Sequence, residues 1–131
     1  MIEYNAKGYI IWVSSSLEMI RPDDCPGNRT CIELFAARGE YVAFQVGIHA
    51  MHKGLKNVDF SVTDLTGEGN NVISRGNISL YREHYVYVAP SIPTRVDCVV
   101  PIPNGVGWYP DALIPFTDPE TGKPPVGGTL K

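Results

Sequence analysis

Apolar and polar residues alternate with a period of two in several short stretches of this chain, with turn-forming residues between them. The clearest stretch has Val42, Phe44, Val46 and Ile48 alternating with Ala43, Gln45, Gly47 and His49. That period sends one row into a core and the other toward solvent or a partner. Val58, Phe60 and Val62 alternate with Asp59, Ser61 and Thr63 in the same way, so Phe44 and Phe60 are the expected core aromatics. Tyr9–Val13 is an aromatic and β-branched run ended by Ser14, Ser15 and Ser16, and Thr30–Ala37 sets Ile32, Leu34 and Ala36 on one face. Both read as strands. Arg38-Gly39-Glu40 predicts a tight turn, and Thr66–Asn71 a Gly/Asn-rich loop.

Asn77–Ala89 is long and strand-like, but its pattern breaks. Ile78, Leu80, Val86 and Val88 share a parity with Arg82 and His84. Two polar residues in an apolar row predict a bulge or a switch of face. Val96–Val100 adds one more short strand. No window carries a helical period, and Ser16–Ile20 gives one turn at most. Strands at this spacing predict an all-β fold, an antiparallel β-sandwich of immunoglobulin-like or jelly-roll-like kind.

Residues 1–100 are expected to form the sandwich core. Residues 101–131 read as an extended Pro- and aromatic-rich segment that packs on the sandwich or leads to a further domain. Pro110 and Pro115 are expected to interrupt sheet pairing there. Trp108, Leu113, Ile114 and Phe116 would then divide between the domain's flank and an exposed apolar patch. Such a patch predicts self-association through Gly107–Phe116.

Composition narrows the function classes. The 131 residues fit one domain, and a net charge of −3 from 11 basic and 14 acidic residues offers no field for nucleic acid. No apolar run reaches the length of a membrane span. Met1-Ile2-Glu3-Tyr4 lacks the plan of a signal peptide, so an extracytoplasmic location would need an export signal carried by a parent protein. Cys25 and Cys31 flank a turn-rich loop, and two readings stand side by side: a short-loop disulfide, or an inward Cys31 with a free Cys25. Cys98 reads as a small buried hydrophobe.

Glycoside hydrolysis needs two carboxyl groups at a controlled separation. Glu40, Asp64, Glu83, Asp111, Asp118 and Glu120 supply carboxylates, but none form an adjacent pair, so no catalytic residue is assigned. Arg82, Glu83 and His84 are the densest polar cluster, and a structural ion-pair knot is preferred to a sugar contact or a catalytic group. His49 and His52 lack further ligands at zinc spacing. Asp64, Glu68, Asn70 and Asn71 do not match a calcium loop. No metal and no cofactor are expected. Trp12, Tyr81, Tyr85, Tyr87, Trp108 and Tyr109 are candidates for a glycan-stacking platform, and Tyr81, Tyr85 and Tyr87 share one parity. A domain interface uses the same residue types and ranks first.

Four segments, in order, resemble the N-terminal domains of proteins related to glycoside hydrolase family 123 and of the allied bacterial proteins carrying domain of unknown function 4091. They are Arg38–Gln45, Asn57–Leu65, Leu80–Val86 and Gly107–Pro115, within a match running from about Trp12 to Gly127. At the Arg38-Gly39-Glu40 turn the chain departs from the family, where Asn is common before the Glu. The resemblance implies a β-sandwich that precedes a catalytic (β/α)-barrel. In the family that barrel hydrolyses N-acetyl-β-galactosaminides through an adjacent carboxylate pair. The barrel is not within residues 1–131, so the chain is expected to be a non-catalytic accessory domain that packs against and positions it. A stand-alone carbohydrate-binding module is the alternative, and a small independent glycosidase ranks third.

Overall fold

The computed structural model describes residues 8–89, 105–118 and 120–123. Those residues are all-β, with 3-10 turns at Glu68–Asn70 and Arg75–Asn77 as their helical content. The strands are β1 (Tyr9–Ser15), β2 (Phe44–Ala50), β3 (Leu65–Thr66), β4 (Val72–Ile73), β5 (Tyr81–Val88) and β6 (Gly107–Pro115). They pair antiparallel as β1–β2, β3–β4 and β5–β6. The chain divides into two compact units, Met1–Val58 and Asp59–Lys131. The predicted strand Val96–Val100, with Cys98, lies outside the described residues.

In the first unit the ladder runs from Tyr9 opposite Ala50 to Ser15 opposite Phe44. Cross-strand partners share a face, so Trp12 with Gly47 and Ser14 with Gln45 form one row. This is the covered row: Trp12 and Ser14 expose only 7 % and 3 % of their surface. Two glycines allow the cover. A Cβ on Gly47 would stand 2.3 Å from the Trp12 ring, and one on Gly27 would stand 2.5 Å from it. Strand and loop can close on the indole only without those atoms. The Val13 N–H donates to the Arg29 carbonyl at 2.9 Å, which binds the loop to the strand. Gln45 Nε2 donates to the Ser15 and Glu18 carbonyls at 2.8 and 2.7 Å and fixes the turn after β1.

The opposite row holds Ile11, Val13, Phe44, Val46 and Ile48, and Ile11, Phe44 and Val46 are exposed. The row expected in the core is therefore the open one. Phe44 and Phe60 are not core residues, Phe44 being exposed and Phe60 half-buried.

Thr30–Ala37 is not a strand. The Glu40 N–H donates to the Ala37 carbonyl at 3.1 Å, and Gly39 has a φ of 82°. A left-handed third residue is the geometry of a type II turn, whose twist splays its flanking segments instead of pairing them. Phe35 is accordingly exposed. Val58–Thr63 also makes no ladder, and the boundary between the two units falls inside it.

The second unit opens with the β3–β4 pair, closed by a Gly67–Asn71 loop in the predicted position. The Gly67 N–H donates to the Asn71 carbonyl at 2.8 Å. β5 and β6 pair along their whole length, from Tyr81 opposite Pro115 to Val88 opposite Gly107. Pro110 and Pro115 thus do not bar the segment from sheet pairing. The ladder shifts between His84 and Tyr85, where the partner residues step from Ala112 to Pro110. Asp111 is the extra residue, and a bulge is where a sheet accepts a proline that has no N–H to donate. The broken pattern of the sequence marked the right place, although the additional residue sits in the partner strand.

Candidate functional site

The β5–β6 register sorts the candidate residues onto two faces. Tyr81, Glu83, Tyr85 and Tyr87 alternate along one side of β5, opposite Pro115, Leu113, Pro110 and Trp108. Arg82, His84, Val86 and Val88 occupy the other side, opposite Ile114, Ala112, Tyr109 and Gly107. The bulge sets this partition. Unbroken alternation in β6 would have put Ala112 and Ile114 beside Trp108; the extra Asp111 brings Leu113 and Pro115 there instead.

The first face is open and aromatic. Tyr81, Tyr87, Trp108 and Leu113 are exposed, with Trp108 at 49 %. The Tyr87 and Trp108 rings meet edge to face, with centroids 5.3 Å apart and planes at 63°, the arrangement that aromatic quadrupoles favour. A strand rises about 3.3 Å per residue, so Tyr81 and Tyr85 stand about 13 Å apart and Tyr85 and Tyr87 about 7 Å apart. The result is a strip along the sheet, not a closed pocket.

Four of the six glycan-stacking candidates, Tyr81, Tyr85, Tyr87 and Trp108, share this face. Tyr109 does not. It lies on the other side at 7 % exposure, and its hydroxyl donates to the Gly105 carbonyl. Trp12 is also withdrawn from any platform, because it is the buried ring of the first unit.

The Arg82, Glu83 and His84 cluster is divided by the same register. Arg82 and His84 face away from the aromatic strip, while Glu83 stands within it between Tyr81 and Tyr85. Partial burial raises the pKa of the Glu83 carboxyl above its ordinary value, the direction that desolvation gives an acid. Glu83 joins the strip by the parity it shares with Tyr81, Tyr85 and Tyr87 on β5, whereas Leu113 and Pro110 join it through the register of β6, which only Pro110 in the sequence hinted at.

The remaining candidates are separate. Cys25 and Cys31 are both free and exposed, so neither the disulfide nor the inward Cys31 describes them. The loop between them runs along β1, with Gly27 against Trp12 and Arg29 bonded to Val13, instead of turning back on itself. A cleft of about 310 Å³ beneath this loop is lined by Trp12, Ser14, Glu18 and Arg29 among others. Its one buried hydroxyl, Ser14 Oγ, donates to the Glu18 carboxylate at 2.5 Å and ties the strand to the turn. Among the described residues, no group of three His, Cys, Asp or Glu side chains is placed to hold a metal ion.

No protein-family model matches the chain, and no curated protein sequence matches it.

Proposed function

We propose that the chain is a non-catalytic accessory domain of a glycoside hydrolase-like protein, a β-sandwich that packs against a catalytic (β/α)-barrel carried elsewhere in the parent. The supporting observation is the open apolar face of β1–β2. Ile11, Phe44 and Val46 each leave between 44 % and 47 % of their surface uncovered. Contiguous apolar surface of this kind marks a face that another body covers. Gly107–Phe116 offers a second such surface, with Trp108 and Leu113 exposed on one face of β6 and Ile114 half-buried on the other.

Three measurements test the reading. The reading frame beyond Lys131 should encode a barrel, and Val46→Asp should weaken association with it; a frame without a barrel on either side overturns the role. The isolated chain should not hydrolyse aryl N-acetyl-β-galactosaminides above background. Turnover that is lost in a folded Glu83→Gln variant would make the chain an enzyme.

A further inference from the structure

The two open faces differ in one chemical respect. The open row of β1–β2, with Ile11, Val13, Phe44, Val46 and Ile48, carries no charged side chain, whereas the β5–β6 face sets a carboxyl group among aromatic rings. An occupant of the second face must therefore do two things at once. It must offer apolar surface to Tyr81, Tyr85, Tyr87 and Trp108, and it must supply donors to Glu83, because a covered carboxyl group without hydrogen bonds is costly. An aliphatic protein surface does the first only.

We infer that the open face of β5–β6 is a binding site for a linear, β-linked neutral oligosaccharide. A pyranose ring with equatorial substituents presents a flat C–H face to an aromatic ring and hydroxyl donors at its edge. The rings follow the strand over about 20 Å from Tyr81 to Tyr87, a span that suits an extended chain of sugars and not a single one. Glu83 lies inside that span and accepts from the hydroxyls of the sugar above it. A cationic ligand would suit rings that converge on one point; here they are spread along a sheet. The inference needs no barrel and stands apart from the accessory role proposed above.

Titration of the full chain with cellohexaose and xylohexaose, followed by tryptophan fluorescence and by amide NMR shifts, tests the site. Saturable binding is expected, with shifts along β5 and β6. Tyr85→Ala and Tyr87→Ala should each weaken it about tenfold, while Phe44→Ala on the other ribbon should leave it unchanged. If an alanine variant loses its melting transition, Tyr87→Leu keeps the bulk, removes the ring and gives the same answer. Absence of binding at millimolar probe overturns the inference, as does binding that Tyr85→Ala and Tyr87→Ala leave intact. Tighter binding of a trimethyllysine peptide to the same residues would also overturn it and assign the face to cations.

Discussion

The ribbons β1–β2 and β5–β6 are built alike and finished differently. Each is an antiparallel pair, but the first closes over one row while the second buries a single ring. In β1–β2 the covered row is Trp12, Ser14, Gln45 and Gly47, which reads as the polar side of the alternation. In β5–β6 the row opposite the strip is buried at Tyr109, half-buried at Arg82 and Ile114 and exposed at His84 and Val86, and the strip itself carries Tyr81, Tyr85 and Tyr87. Alternation identifies which residues travel together. It does not say which set is covered, because the glycines that admit Trp12 count as neither apolar nor large.

Breaking the cover of the first ribbon should produce the largest effect. Trp12→Ala removes the ring that both the loop and β2 close upon, and should destabilise the chain by about 3–5 kcal/mol. Gly47→Ala leaves the ring in place and drives a methyl group to 2.3 Å from it, an overpacking that should cost about 1–3 kcal/mol. Urea denaturation measures both. A stable Gly47→Ala variant would show that the Trp12 face is not closed by β2.

Phe44→Ala examines the opposite face of the same ribbon and should cost far less. A phenylalanine gains about 1.5–3 kcal/mol on full burial, and this one is about half covered, so roughly 1 kcal/mol is expected. A loss as large as that of Trp12→Ala would mean that the apolar row is the core after all.

The legible and illegible parts of the chain separate along physical lines. β1, β2 and the β5 region were visible because they alternate over enough residues, and the Gly67–Asn71 loop because its turn residues are explicit. Thr30–Ala37 alternates equally well yet makes no strand. Its fate is decided by the twist of the Gly39 turn and by the lack of a partner within reach, neither of which alternation encodes. The aromatic strip was half visible. The shared parity of Tyr81, Glu83, Tyr85 and Tyr87 could be read directly, but Trp108 and Leu113 join them only through the cross-strand register, with its bulge at Asp111. Both candidate cysteines were read from spacing alone, whereas Trp12 draws the intervening loop along β1.

The smallest effect expected belongs to Glu83, and it distinguishes the two open faces by pH. Only tyrosines accompany it among the titratable residues of its face, and burial raises its pKa in the fold. The folded chain therefore keeps the proton to a higher pH than the unfolded chain does. Between the two pKa values the folded state binds more protons, so stability falls as pH rises through that interval. The contribution is fully present below the unfolded pKa and is lost once the pH passes the folded one. Asp118 acts in the opposite sense: the Thr121 and Glu120 N–H groups that it accepts lower its pKa, so its contribution is present at neutral pH and fades in acid. Because Asp118 is common to both proteins, it cancels when Glu83→Gln is compared with the parent chain. The melting temperature of the parent should decline relative to that of Glu83→Gln as pH is raised from about 4, the ordinary carboxylate value, and the difference should level off once the folded carboxyl has lost its proton. A difference that does not change with pH would place Glu83 in solvent, outside the aromatic strip.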